Sequence, residues 1–112
     1  MIVKFLGTHH AESRETRLVS LLIDDILAVD AGSLSSELSF SEQAKIKAIL
    51  LSHEHYDHIK GVPSFIFTNL DRTTKVFATS KTLKILTSHL FDGEIYPKFT
   101  ERLPSWKSHQ SN

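Results

Sequence analysis

The apolar run IKAILL at residues 46–51 leads without interruption into the polar sequence SHEHYDH. A run this short, bounded by polar residues, is typical of a buried strand rather than a helix. The polar sequence places four potential metal ligands within six positions, and we refer to them as the HxHxDH cluster: His53, His55, Asp57 and His58. The fold must therefore bring the end of a buried strand to a point where these side chains can meet.

The spacing within the HxHxDH cluster favours two ions. If the chain leaves the strand still extended, side chains two residues apart point the same way, so His53 and His55 can converge on one ion. Asp57 and His58 lie where the backbone turns, and they could hold a second ion. Two metals about 3.5 to 4 Å apart lower the pKa of a shared water and stabilise an oxyanion, which favours hydrolysis. The alternative is a surface loop that is rich in histidine, a risk that any motif match carries.

The remaining sequence predicts strands first, and then strands that alternate with helices. Strands are expected at residues 2–6, 18–23, 26–32 and 75–80. The pair Asp24 and Asp25 suits a tight hairpin turn. Helices are expected over residues 42–45, 58–67 and 80–90, with Ser41 and Ser80 as N-caps of the first and the last. This order is typical of an α/β domain, with helices and sheet in layers.

Composition narrows the partners and the ligand types. The chain of 112 residues suits one domain, and its 13 basic and 13 acidic residues balance. Without a basic excess, long nucleic acid is not expected as a partner, whereas a small substrate fits. The chain has no cysteine, so imidazole and carboxylate are the expected metal ligands. No signal peptide or membrane span is evident, so no membrane contact is expected and the cytoplasm is the default compartment.

The sequence SHEHYDHIKG resembles the HxHxDH motif of the metallo-β-lactamase superfamily, which also follows a buried strand. An upstream strand that ends in Val-Asp-Ala-Gly at residues 29–32 adds to this resemblance. The resemblance implies the N-terminal half of an αββα sandwich. It covers residues 1–101 as part of a metallo-β-lactamase-like domain and leaves residues 102–112 as an unmatched polar tail.

The same resemblance assigns roles to the ligands. It implies that His53 and His55 bind the first metal, that Asp57 and His58 bind the second, and that Asp57 orients the attacking hydroxide in catalysis. Asp30 would lie near the site and support a ligand, although a plain turn carboxylate is an equal expectation. Two divalent ions are expected, with zinc as the first expectation and manganese or iron as alternatives that the same ligands suit.

A second segment, SHLFDGEIYPKF at residues 88–99, is similar to one that follows the metal motif in class II cyclic-nucleotide phosphodiesterases and their bacterial relatives. This similarity favours a small phosphodiester substrate, hydrolysed by metal-activated hydroxide. Two other functions remain open: a truncated or non-catalytic half-domain that binds metal, and RNA 3′-end processing. Neutral charge and the lack of a basic stretch with interspersed aromatic residues argue against processing of RNA.

The ligand count indicates an incomplete site. A catalytic zinc usually has three protein ligands and an open position, but the HxHxDH cluster gives each ion two. In the resembled superfamily the other ligands come from the second half of the sandwich. A homodimer or a C-terminal half would then complete the site, and the chain alone is not expected to be active. A sheet without its partner should also expose an apolar face.

The other histidines are expected to have structural or solvent-exposed positions. His9 and His10 lie in a polar loop, which the resemblance places near the mouth of the site. His89 lies at the end of the last predicted helix, where a cationic side chain is favoured. His109 lies in a tail without periodicity, and no role is assigned to it.

Overall fold

The five predicted strands and one further strand assemble into a six-stranded sheet in a computed structural model of the protein. The structure describes residues 1–97 and, for the backbone alone, residues 106–110. The strands are β1 (Val3–Gly7), β2 (Ser20–Ile23), β3 (Leu27–Val29), β4 (Ala48–Leu50), β5 (Thr74–Ala78) and β6 (Trp106–Gln110).

The order of the strands in the sheet follows their order in the chain. β1, β2 and β3 pair antiparallel, whereas β3, β4, β5 and β6 pair parallel. The hairpin between β2 and β3 turns at Asp24 and Asp25, as predicted, with φ values of 52° and 64°. Aspartate tolerates this left-handed region better than most residues, which explains why the pair suits the turn.

Short helices connect the parallel strands. They are α1 (Leu34–Glu37), α2 (Phe40–Gln43), α3 (Tyr56–Ile59), α4 (Val62–Thr68) and α5 (Ser80–Ile85), which continues into a π-helical turn (Leu86–Leu90). The single helix predicted over residues 58–67 is instead divided into α3 and α4. Gly61 is the N-cap of α4 and Pro63 lies in its first turn, a position that proline favours.

Both predicted N-caps are wrong by one or two residues. Ser39 rather than Ser41 caps α2: its Oγ accepts the Glu42 N–H at 3.2 Å, and the Glu42 carboxylate accepts the Ser39 N–H at 2.8 Å. This reciprocal pair is a capping box. Thr79 rather than Ser80 caps α5, because its Oγ1 accepts the Thr82 N–H at 3.3 Å. Several neighbouring hydroxyl residues could fill each position, and the sequence alone did not distinguish them.

The core lies between one face of the sheet and the helices. Strand residues that share a register row are fully buried there, as are residues from the helices and the π-helical turn. The strands contribute Leu22, Ala28, Ile49 and Val76, and the helical segments contribute Leu34, Val62, Phe65 and Leu86. Because the strand and helix residues belong to one buried cluster, these helical segments all cover the same face of the sheet.

The opposite face of the sheet is apolar and only partly covered. Apart from Lys75, its register rows over β1 to β5 contain apolar residues: Val3, Phe5, Leu21, Ile23, Leu27, Val29, Ala48, Leu50 and Phe77. Phe5 is 70% exposed and Leu50 is 39% exposed. Leaving such surface in water costs about 25 cal/mol per Å². The exposed apolar face that the sequence analysis expected is therefore present.

The end of the sheet holds the one strand that was not predicted. β6 pairs parallel with β5 over Thr74–Ala78 and Trp106–Gln110. The predicted tail at residues 102–112 otherwise lies outside the described residues. The run WKSHQ has no apolar alternation, but parallel pairing at the end of a sheet depends on backbone hydrogen bonds as well as side chains. In the described part of the chain, no helix is long and apolar enough to cross a membrane.

Candidate metal centre

The HxHxDH cluster lies where the chain passes from β4 into α3. The ring centroid of His53 lies 4.6 Å from that of His55 and 4.1 Å from that of His58. Asp57 Oδ2 lies 3.4 Å from His58 Nε2. His55 is the N-cap residue of α3, and Asp57 and His58 lie in its single turn. The chain thus brings all four predicted ligands together at one end of the parallel strands.

Asp30 organises this cluster from the end of the neighbouring strand β3. Its side chain is buried, and its carboxylate accepts the Ser52 N–H at 2.8 Å and the Ser52 hydroxyl at 2.8 Å. The same carboxylate accepts His58 Nδ1–H at 2.9 Å. Ser52 Oγ lies 2.9 Å from His53 Nδ1. One buried carboxylate therefore connects two of the predicted ligands, directly for His58 and through Ser52 for His53.

This network determines which nitrogen of the His53 and His58 rings carries the proton. The Ser52 hydroxyl directs its proton to Asp30, so its oxygen accepts a hydrogen bond from His53 Nδ1–H. His58 also carries its proton on Nδ1, facing Asp30. Both rings then present the lone pair of Nε2, which is how carboxylates orient histidine ligands around metals. Sequence reasoning missed Ser52, whose only signal is its place between the strand and the first histidine.

The Asp-Ala-Gly turn also fixes the backbone of the cluster. Asp30 has a φ of 59°, and its N–H donates to the Leu50 carbonyl at 2.7 Å. The next N–H, from Ala31, donates to the His58 carbonyl at 2.7 Å, and the Ala31 carbonyl accepts the Gly61 N–H at 2.8 Å. The turn is thus hydrogen-bonded to the end of β4 and to the later chain at His58 and Gly61. Asp30 is a turn residue and a support for the cluster at once.

The donor set of the HxHxDH cluster suits divalent metals. Three imidazoles and a carboxylate are ligands that zinc, manganese and iron accept. Within residues 1–97, no three histidine or acidic side chains are arranged to hold one ion. The cluster therefore offers suitable donor atoms, and its division into two pairs, one for each ion, stays a prediction.

Glu54, between the first two histidines, anchors the motif to α5. Its carboxylate accepts the Thr82 hydroxyl at 3.1 Å and lies 3.3 Å from Lys81 Nζ. Thr82 is 1% exposed, so this contact reaches the core side of α5. Desolvation raises the pKa of Glu54, but hydrogen bonds from its own backbone N–H, Lys81 and Thr82 outweigh it and hold the pKa below its usual value. The sequence indicated only that this side chain faces away from the histidines.

Replacing Glu54 by glutamine should remove a pH-dependent contribution to stability. A lowered pKa in the folded state stabilises the protein above the unfolded value, and this contribution is lost as the pH falls through the folded pKa. The difference in unfolding free energy between the wild type and Glu54→Gln should therefore be full at neutral pH and shrink below the ordinary pKa of 4.5. Urea unfolding at several pH values measures it. Thr82→Val should reduce the same difference, whereas a difference that does not change with pH would contradict this account.

The remaining histidines occupy distinct positions. His10 lines a cavity of about 320 Å³ together with Asp57, so the loop that carries it lies beside the cluster. His9 Nδ1 lies 3.2 Å from the Arg17 backbone and helps to close that loop. His89 is exposed in the π-helical turn and contacts Ser88 Oγ at 2.8 Å, as its helix-end position led us to expect. The side chain of His109 lies outside the described residues.

Known structures share this fold. Yeast PDE1 superposes with a TM-score of 0.77 at 15% identity, covering 98% of this chain and 50% of that one. YhfI from Bacillus subtilis, a metallo-β-lactamase fold protein, superposes with a TM-score of 0.67 at 21% identity, covering 98% of this chain and 45% of that one. At these identities the likeness shows the fold alone. The chain spans half or less of the length of these structures.

Sequence comparison identifies the family. Ribonuclease J from Mycoplasma pneumoniae is 48% identical over 40 residues, which cover 36% of this chain and 7% of that protein. The model of the β-lactamase superfamily domain matches residues 21–111, which include the whole HxHxDH cluster. The resemblance noted in the sequence is thus confirmed at the level of the superfamily, and its fold is that of a half sandwich. The chain belongs to the metallo-β-lactamase superfamily.

Proposed function

We propose that the chain supplies the metal-binding half of a hydrolase that cleaves phosphodiesters with two divalent ions, zinc being the first choice. The observation that carries the proposal is the orientation of His53 and His58: Nδ1 of each ring contacts Ser52 or Asp30, and Nε2 of His58 lies 3.4 Å from Asp57 Oδ2. Carboxylates orient histidine ligands in this way around metals, with Nε2 left to bind the ion. A histidine-rich surface loop would not need a buried carboxylate beneath it.

The residues of the cluster and Asp30 would have different roles in the reaction. His53 and His55 would hold one ion, and Asp57 and His58 the other. Bound ions would supply an activated water and stabilise charge on the phosphate oxygens. Asp57, 3.4 Å from His58 Nε2, would accept a hydrogen bond from that water and direct it toward phosphorus. Asp30 keeps its supporting role, because it holds two of the rings at the correct nitrogen.

The substrate class is supported by two independent likenesses. Ribonuclease J acts by its name on RNA, whose backbone is a phosphodiester, and its match with this chain is 48% identical over 40 residues. The segment at residues 88–99 resembles its counterpart in cyclic-nucleotide phosphodiesterases. Both favour attack at phosphorus over attack at a β-lactam carbonyl.

Completion of the site is part of the proposal. The HxHxDH cluster gives each ion two ligands, and the apolar sheet face needs a cover. We propose that a C-terminal half or a second copy of the chain supplies both the missing ligands and the covering sheet. The exposed Phe5 and Leu50 lie on the face that such a partner would bury.

RNA 3′-end processing is the second candidate function, and the match with Ribonuclease J, which by its name acts on RNA, favours an RNA substrate. The balance of 13 basic and 13 acidic residues weighs against it, because binding to a polynucleotide depends on many phosphate contacts. A small phosphodiester and an RNA with a 3′ extension therefore distinguish the two functions, since only a processing enzyme would prefer the RNA.

Hydrolysis of bis(p-nitrophenyl) phosphate by the chain in its natural assembly tests the proposal. We expect turnover with zinc or manganese, loss of turnover on chelation, and recovery when the metal is restored. Metal titration should give two tightly held ions for each assembled site. His89→Asn, which changes a histidine outside the cluster, is the control and should behave as the wild type.

Two results would contradict the proposed hydrolase function. One weakly held ion per chain, without turnover of either substrate, would support a non-catalytic module that binds metal. Turnover that persists after exhaustive chelation would contradict the proposed role of metal ions in hydrolysis.

A further inference from the structure

A cavity next to the HxHxDH cluster is larger than the one that contains Asp57. It has a volume of about 340 Å³, within the range of small-molecule sites, and α1, α3, α4 and the segment after the π-helical turn line it. Its walls combine a cation, hydroxyl groups and aromatic rings: Lys60, Ser35, Ser64, Tyr56 and Tyr96. Such a lining suits a ligand that has both an anionic and an aromatic part.

Tyr56 connects this cavity with the cluster. It stands between His55 and Asp57 in the chain, and its side chain lines both the large cavity and the smaller one that contains Asp57. Tyr56 is 60% exposed, so its ring is open to a ligand rather than used in the core. A molecule that reacts beside Asp57 could therefore extend along this ring into the large cavity.

Lys60 follows Tyr56 by one helical turn, so both side chains lie on one side of α3. In the structure its ammonium group forms an ion pair with Glu12, which lines both cavities. The two side chains are 39% and 46% exposed, and ion pairs this exposed contribute little to stability. An anionic ligand could therefore displace Glu12 from Lys60 at small cost.

We propose that Tyr56 and Lys60 form a subsite for a mononucleotide-sized organic phosphate, with the base stacked on Tyr56 and a phosphate oxygen bound by Lys60 in place of Glu12. The proposal rests on the proposed phosphodiester function, and it names the part of the substrate that lies beside the reacting phosphorus. Base stacking on an aromatic side chain and charge pairing are the two contributions that the cavity offers. Glu12 acts as a competing anion and weakens binding.

Calorimetric titration of the metal-free chain with adenosine 5′-monophosphate tests the subsite without any turnover. Lys60→Met should weaken binding about tenfold, and Glu12→Gln should strengthen it severalfold because Lys60 loses its competitor. Tyr56→Leu should weaken binding about tenfold, whereas Tyr56→Phe should keep it, since the ring remains. For ribose 5-phosphate, which has no base, Tyr56→Leu should have no effect.

A second exposed ion pair provides the matched control. Lys4 Nζ, on β1, lies 2.8 Å from Asp25 Oδ1 in the turn between β2 and β3, with side chains 49% and 48% exposed. Lys4→Met and Asp25→Asn should leave binding unchanged. Circular dichroism should show each variant folded, as expected for exposed side chains.

The subsite and the proposed function can fail separately. Nucleotide binding that is absent, or that ignores Lys60→Met and Tyr56→Leu, contradicts the subsite even if phosphodiester turnover is observed. Weaker binding by Glu12→Gln also contradicts it. Binding that responds to these variants as expected supports the subsite, and a lack of turnover by the assembled protein after it has been loaded with metal counts against the hydrolase alone.

Discussion

Replacing Asp30 by alanine is expected to lower the unfolding free energy by about 3 to 5 kcal/mol, because it removes one acceptor from several donors. The Ser52 N–H, the Ser52 hydroxyl and His58 Nδ1–H all lose their partner. Alanine must also adopt the φ of 59°, which costs an L-residue with a β-carbon about 1 to 2 kcal/mol. Urea unfolding measures the loss.

Two variants separate the contributions to that loss. Asp30→Asn keeps a side chain that tolerates the left-handed region, so its loss should be smaller than that of alanine and should report the hydrogen bonds alone. Asp25→Ala is the matched control, since Asp25 has a φ of 64° but an exposed carboxylate paired with Lys4. Its loss should be clearly smaller than that of Asp30→Ala. Equal losses at Asp25 and Asp30 would show that backbone conformation, and not the network, dominates.

Metal affinity is the second readout of the Asp30 variants. Without its acceptor, His58 no longer has a fixed ring orientation, and losing such a partner typically costs about 10- to 100-fold in affinity. Zinc titration at a temperature where the variant is folded measures this change. The affinity of Asp25→Ala should equal that of the wild type, and an unchanged affinity in Asp30→Asn would contradict the role of the network.

The sequence predicted the elements whose signals are local. The run at residues 46–51 and the turn at Asp24 and Asp25 were recognisable because apolar length and left-handed backbone preference act within a few residues. The proximity of His53 and His55 followed from strand alternation. The superfamily resemblance then supplied the layered fold, which the α/β order alone left general.

Features that depend on distant contacts could not be predicted in the same way. Glu54 contacts Thr82, 28 residues later, and nothing in either neighbourhood indicates this. β6 arises from pairing with β5 and not from its own pattern. The choice of Ser39 over Ser41 as N-cap depends on where the chain enters α2. In each case the missing information is tertiary geometry, which overrides local preference.

Gly32 lies where the turn after β3 packs closely against the backbone of the HxHxDH cluster. A β-carbon there would lie 1.9 Å from the Asp57 carbonyl oxygen, 2.7 Å from Leu18 Cβ and 2.9 Å from the Val19 carbonyl oxygen. The first and last of these atoms belong to the backbone, so no side-chain rotation relieves the contact. The turn after β3 therefore needs glycine because the backbone of the HxHxDH cluster packs directly against it.

Gly32→Ala is accordingly expected to lower the unfolding free energy by at least about 3 kcal/mol, the upper range for overpacking of a rigid site. Gly93→Ala is the control, because Gly93 is exposed and has a φ of 93°, so that its substitution tests backbone strain, at about 1 to 3 kcal/mol. Urea unfolding compares the two. If Gly32→Ala folds, the Asp57 backbone must have moved, so zinc affinity should fall in parallel. Full stability together with wild-type zinc affinity would mean that the approach of Asp57 to the turn is not as close as the structure has it.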